Sequence, residues 1–184
     1  MQNILFFGNS LTAGYGLRNP SAESYPAIIN KKIKEAGLDY KITNAGVSGD
    51  TSSGGLHRIN YWLSQSVGIF VLELGINDVI RGVAPLTTLK NLQAIIDKVK
   101  AKYPEVKIAI MGMQIPIFLH SPIAAQFHEI YNKLAADNKA SLVPFFLDGV
   151  AGKTHLNLPD QLHPNAEGYK VIANNVWPVI KGLL

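Results

Sequence analysis

The sequence contains no cysteine. That excludes disulfides, thiol nucleophiles and cysteine-held zinc, and it leaves the compartment open, because such a chain suits reducing and oxidising surroundings alike. Long hydrophobic runs are also missing. The longest nearly apolar stretch, 108–119, is interrupted by Gln114 and Pro116 and falls short of the roughly 20 residues of a membrane-spanning helix. No signal peptide is visible, since Met1-Gln2-Asn3 leads straight into Ile4-Leu5-Phe6-Phe7 without a basic start or a small-residue cleavage site. The positive excess is small, +4 at pH 7. Its densest stretch, 98–102, alternates lysine with apolar residues and reads as the solvated face of a helix. No nucleic-acid partner is therefore expected, and the charge is at most a weak attraction for anionic substrates.

What is present is 184 residues, 47% of them apolar, which suits one domain over 1–184 with a single sizeable core. There is no linker, internal repeat or low-complexity segment. Short apolar runs at 4–7, 40–44, 69–74, 108–113 and 142–144 alternate with amphipathic segments. Runs such as Ile69-Phe70-Val71-Leu72 lack polar alternation, the pattern of parallel strands covered on both faces. Helical spacing marks 24–36, 87–102 and 122–138, and a last helix is expected to begin at Pro164 and to be kinked or ended by Pro178. Strand–helix repeated about five times predicts an α/β sandwich with helices on both faces of a parallel sheet. Gly-, Ser- and Asn-rich stretches fall at expected strand ends, at 8–16, 45–55 and 75–82. Sites in open parallel sheets form there.

Four separated segments carry candidate chemistry. Gly8-Asn9-Ser10-Leu11-Thr12 puts a serine directly after the first strand. Taken alone, it reads equally well as a turn serine that caps the next segment. It is not the Gly-x-Ser-x-Gly elbow, because Thr12 holds the last position. In Ser48-Gly49-Asp50-Thr51, Gly49 could bring its N–H close to a substrate oxygen. The plainer reading is a loop in which Asp50 or Thr51 caps a helix. Glu73-Leu74-Gly75-Ile76-Asn77-Asp78 ends the third strand, and Asn77 is either a neutral donor for an oxyanion or an Asx turn. Glu73, inside an apolar strand, is expected to be hydrogen-bonded and structural. In Asp160-Gln161-Leu162-His163-Pro164, a tight turn would let the carboxylate reach Nδ1 of the histidine. A capping network or a metal pair uses the same residues, but no other clustered ligand completes a metal site. His57, His120, His128 and His155 show no ligand spacing and are read as structural or solvated.

Together these segments make the chain recognisable. Gly8-Asn9-Ser10-Leu11-Thr12-Ala13-Gly14-Tyr15, Ser48-Gly49-Asp50-Thr51-Ser52, Glu73-Leu74-Gly75-Ile76-Asn77-Asp78 and Asp160-Gln161-Leu162-His163-Pro164-Asn165 occur in that order. They resemble the four signature blocks of the GDSL, or SGNH, hydrolase family, closest to its bacterial thioesterase I, arylesterase and lysophospholipase branch. The resemblance implies a flavodoxin-like three-layer α/β/α sandwich with a five-stranded parallel sheet, first and third strands side by side. It implies Ser10 as nucleophile, His163 as general base and Asp160 as its orienting acid. The N–H groups of Ser10 and Gly49 and the Asn77 side chain would form an oxyanion hole. No cofactor and no metal are needed for that chemistry.

The substrate expected is a small-molecule ester or thioester of a short- to medium-chain acyl group. Gln114, Ile115, Pro116, Ile117 and Phe118 are expected to line its acyl side with Ile76, although core packing under a loop is an equal reading for 114–118. A carbohydrate O-acetylesterase and a non-catalytic flavodoxin-like binding module are the alternatives. The resemblance favours a periplasmic or secreted location over a cytoplasmic one, and oligomeric state is left open. Two departures stand out. Asn9 replaces the aspartate of the family's name motif, which keeps local hydrogen bonds but removes a charge. Ile76 stands where close relatives often have glycine, and it should narrow the acyl pocket.

Overall fold

The computed structural model describes residues 2–114 and 122–184. In chain order the elements are β1 (Gln2–Gly8), α1 (Ser10–Ala13), α2 (Pro20–Glu23), α3 (Tyr25–Glu35), β2 (Tyr40–Gly46), α4 (Ser52–Trp62), β3 (Ile69–Glu73) and α5 (Ile76–Ile80). There follow α6 (Pro85–Lys102), β4 (Lys107–Met111), α7 (Pro122–Asn138), β5 (Ser141–Val143), a short 3-10 turn (Thr154–Leu156) and α8 (Ala166–Lys181). The five strands form one sheet in the order β2-β1-β3-β4-β5, and every neighbouring pair is parallel. This is the flavodoxin-like order, with the switch point between β1 and β3.

The unbroken apolar runs are explained by the two cores. Successive strand residues point to opposite faces. Ile4 and Phe6 of β1 and Ile69 and Val71 of β3 pack with Tyr25, Ile29 and Ile33 of α3 and with Tyr169, Ile172 and Val176 of α8. Leu5 and Phe7, with Phe70 and Leu72, pack on the other face with Ile59 of α4, with Leu92, Ile95 and Ile96 of α6, and with Leu134 of α7. Both faces are dry, so neither set alternates with polar residues. The outer strand β2 is only half-buried along most of its length.

Three expected helix boundaries are corrected. Pro164 is not the first residue of α8. Asn165 is the N-cap, its side chain accepting from the N–H groups of Glu167 and Gly168, and the helix begins at Ala166. Pro164 instead bridges Asn157 in a short antiparallel contact. A residue before proline favours extended backbone, so His163 resists joining the helix. Pro178 does not end α8, which runs on to Lys181. The ring removes only one N–H near the end of the helix, and Val176 and Ile180 on either side of it are fully buried in the core. The α6 helix begins at Pro85 rather than residue 87, with the proline at its first position, where a missing N–H is harmless.

Candidate active site

The strand register brings Gly8 of β1 opposite Glu73 of β3 and Gly46 of β2, so the three glycine-rich loops start side by side. At Gly8 a side chain is impossible: a Cβ would lie 2.1 Å from Thr12 Oγ1 and 2.7 Å from the Glu73 carbonyl oxygen. The chain then turns directly into α1. Asn9 caps that turn, its Oδ1 accepting the Leu11 N–H at 2.9 Å. Ser10 therefore occupies the first helical position, buried but adjoining the site. First-turn N–H groups have no partner within their own helix, and among the described residues the N–H of Ser10 makes no hydrogen bond.

The loop between β2 and α4 is pinned from several sides. Val47 N–H donates to the Gly8 carbonyl, and Arg81 Nη2 donates to the Gly49 carbonyl at 2.8 Å. Gly49 has φ 77°, a left-handed conformation that glycine adopts without strain. Its N–H also has no hydrogen-bond partner among the described residues. Asn77, in the first turn of α5, donates from Nδ2 to the Asp50 carbonyl at 2.8 Å. One of its two amide hydrogens is thereby used, and the other remains for a ligand. Of the two candidate caps of α4, Thr51 serves, accepting from the Gly54 N–H. Asp50 instead pairs with Arg58 at 2.7 Å.

The fourth segment arrives from the opposite end of the sequence. Gln161 has φ 56°, and the tight turn around it folds Asp160 back on His163. Asp160 Oδ1 accepts the N–H groups of Leu162 and His163, each at 3.0 Å, and Oδ2 lies 2.7 Å from His163 Nδ1. An ionised carboxylate can only accept, so Nδ1 carries the proton. Nε2 is then free to accept from the Ser10 hydroxyl, 2.9 Å away. The backbone N–H of His163, the imidazole and the Leu162 N–H lower the Asp160 carboxyl to a pKa of about 2, so it is charged at any ordinary pH. The ring of Tyr15 leans on the imidazole, with centroids 4.6 Å apart.

The opposite carboxylate behaves differently. Glu73 is buried and hydrogen-bonded at the strand end, as expected of it. Burial pushes its pKa up to about 7, against the pull of its contacts with Thr12 and Asn9.

Ser10, His163 and Asp160 thus meet in sequence, with Gly49 on the loop after β2 and Asn77 in the first turn of α5 after β3. Of the expected acyl-side residues, Ile76 is half-buried at the start of α5 and Gln114 is exposed, while Ile115, Pro116, Ile117 and Phe118 lie outside the described residues. Among the described residues no group of three or more acidic or imidazole side chains could hold a metal, and no helix is long and apolar enough to cross a membrane.

Several supporting residues had no role assigned from the sequence. Arg58 ties Asp50, the Ala45 carbonyl and the Gly8 carbonyl together while lying 3.9 Å above the Phe7 ring. Asp78 is fully buried and accepts from Ser52 and Thr88, joining α5 to α4 and α6. Its position inside the Asn77-Asp78 block was the available signal. Nothing in the sequence pairs Arg58 with Asp50 or Arg81 with Gly49.

Comparison with known proteins agrees with this fold. The profile of the GDSL-like Lipase/Acylhydrolase family matches residues 6–171. The chain is 36% identical to "Esterase TesA" of Pseudomonas aeruginosa over 184 residues, which is 100% of this chain and 90% of that protein. It is 36% identical to "Thioesterase 1/protease 1/lysophospholipase L1" of Escherichia coli K12 over 172 residues, 93% of this chain and 79% of that one. A crystal structure of TesA superposes with a TM-score of 0.93 at 36% identity, covering 100% of both chains. The chain belongs to the GDSL-like lipase/acylhydrolase family and is an SGNH-type hydrolase.

Proposed function

We propose that the chain acts as one domain that hydrolyses small-molecule carboxylic esters and thioesters of short- to medium-chain acyl groups through an acyl-enzyme on Ser10. The observation that carries this reading is the unbroken contact from Ser10 Oγ to His163 Nε2 and from His163 Nδ1 to Asp160, at 2.9 and 2.7 Å. In the first half of the cycle Ser10 attacks the carbonyl carbon and His163 takes its proton. Asp160 holds the ring in the required tautomer and stabilises the imidazolium. The oxyanion accepts from the Ser10 and Gly49 N–H groups and from the remaining Asn77 amide hydrogen. The tetrahedral adduct collapses as His163 protonates the leaving alcohol or thiol. Water then attacks the acyl-serine with His163 as base, and the acid leaves.

The acyl range is supported by Ile76, a β-branched side chain next to Asn77. The names of the relatives, an esterase and a thioesterase/lysophospholipase, support both leaving-group types. The test is labelling by a fluorophosphonate, mapped by peptide mass spectrometry, beside hydrolysis rates for matched esters and thioesters of increasing acyl length. Modification at Ser10, lost in Ser10→Ala, with a rate maximum at short to medium chains is expected. Labelling elsewhere would remove Ser10 from its role, and acetyl-only activity on polysaccharides would move the assignment to a carbohydrate O-acetylesterase.

A further inference from the structure

Directly behind Ser10 lies a carboxylate that the acyl-transfer cycle does not use. Glu73 Oε1 meets Asn9 Nδ2 at 2.8 Å, and Oε2 meets both the Asn9 N–H at 3.1 Å and Thr12 Oγ1 at 2.8 Å. One side chain of β3 therefore grips the serine-bearing turn at three points. The polarity of these contacts is fixed by chemistry. Asn9 Oδ1 is committed to the Leu11 N–H, so its NH₂ group must face Glu73. Both glutamate oxygens meet N–H donors, so each must accept. The peptide that follows Asn9 carries the N–H of Ser10, and the side chain after it carries the hydroxyl.

We infer that Glu73 is a positioning residue for Ser10, acting through a polarised pair in which the Asn9 amide must donate and the residue 73 side chain must accept. The inference rests on Ser10 being the nucleophile. It identifies what Asn9 does in place of the family's aspartate. An aspartate there would face Glu73 acceptor to acceptor and would need a shared proton to keep the turn in place.

The groups around the pair leave the titration to Glu73 itself. Tyr25 of α3 bonds Thr12 at 3.1 Å, Tyr169 of α8 lies close by, and Tyr131 of α7 donates to the Leu74 carbonyl. Burial pushes all three phenols up, and the charge of Glu73 adds to this, so they stay neutral. Arg58 of α4 reaches the Gly8 carbonyl but is paired with Asp50. His163 stands beyond the Ser10 hydroxyl.

This polarity makes an unusual forecast, that two damaging substitutions cancel. In Glu73→Gln, one NH₂ must face either Asn9 Nδ2 or the Asn9 N–H, donor to donor. In Asn9→Asp, the pair holds only while it shares a proton. Asn9→Asp with Glu73→Gln reverses the pair: the glutamine NH₂ donates to the new carboxylate, and its oxygen still accepts from the residue 9 N–H and from Thr12.

The experiment measures kcat and KM for p-nitrophenyl butyrate, and melting temperature, from about pH 5.5 to about pH 9 in wild type, N9D, E73Q and N9D/E73Q. E73Q should lose about tenfold or more in kcat with KM little changed, and N9D should lose kcat and melting temperature progressively above about pH 7. The double variant should return to within about threefold of wild type and lose the added pH dependence, a coupling of opposite sign to the single effects. A double variant no better than E73Q in kcat and melting temperature, or an N9D indistinguishable from wild type over the whole range, overturns the inference. Fluorophosphonate labelling of wild type reports separately on Ser10, so the two readings fail independently.

Discussion

Two carboxylates flank Ser10, and they are held in opposite ways. Asp160 sits on an outer turn with its side chain 43% exposed, and its pKa is drawn down to about 2 by two backbone N–H groups and the imidazole. Glu73 is 5% exposed at the end of a central strand, and burial drives it up to about 7 although three donors surround it. Donor count is similar, so solvent access decides the difference. The exposed carboxylate is permanently charged and suits a partner that becomes cationic during proton transfer. The buried one is poised near neutrality and suits holding a turn.

The sharpest way to break this comparison is to remove the charge on one side only. Asp160→Asn should lower kcat/KM by about 10²- to 10⁴-fold, because the imidazole loses both its tautomer control and its counter-charge. Its melting temperature should move little, since the Asp160 side chain is 43% exposed. Steady-state kinetics beside a thermal melt reads both. A loss that touches neither carboxylate is the control: Asn77→Ala should lower kcat by about 10²- to 10³-fold with the pH profile of melting unchanged, and a fall below about threefold would remove Asn77 from the oxyanion site.

Stability against pH sharpens the same contrast more gently. The folded Glu73 binds its proton more tightly than an unfolded glutamate, so the native state holds more protons between about pH 4.5 and about pH 7. Its contribution is fully present below that window, falls as pH rises through it and is level above, an effect on the order of a few kcal/mol. Asp160 has the opposite sign. Its contribution is present above about pH 4 and lost as pH falls through about 2, and exposure makes it the smaller effect. Melting temperature by calorimetry from acid to neutral pH should therefore show a decline from about pH 4.5 to about pH 7 that a substituted Glu73 lacks.

Much of the fold was legible because burial on both faces leaves a sequence signature. Ile69-Phe70-Val71-Leu72 read as a covered strand, and all five strands lie at the expected stretches, although β2 is only half-buried. The strand order and the pairing of β1 with β3 came from resemblance rather than periodicity. Boundaries were less legible. Pro164 looked like the start of the last helix, and the side-chain cap made by Asn165 puts that start at Ala166 instead. Pro178 looked like a kink or a stop; it is not a stop, because burial of Ile180 outweighs one lost hydrogen bond.

By itself the sequence determined which residue types stand in turn-forming contexts: a hydroxyl, a glycine and an amide after strands, and a carboxylate with an imidazole before the last helix. Local chemistry suffices for that, because caps, turns and apolar runs act over a few residues. Only the tertiary structure decided that Ser10 and His163, 153 residues apart in the chain, meet at 2.9 Å, that Glu73 faces Asn9, and that Asp160 and Glu73 ionise so differently. Those outcomes depend on the parallel register of β1 with β3 and on how much water each carboxylate retains, and both are properties of the packed chain.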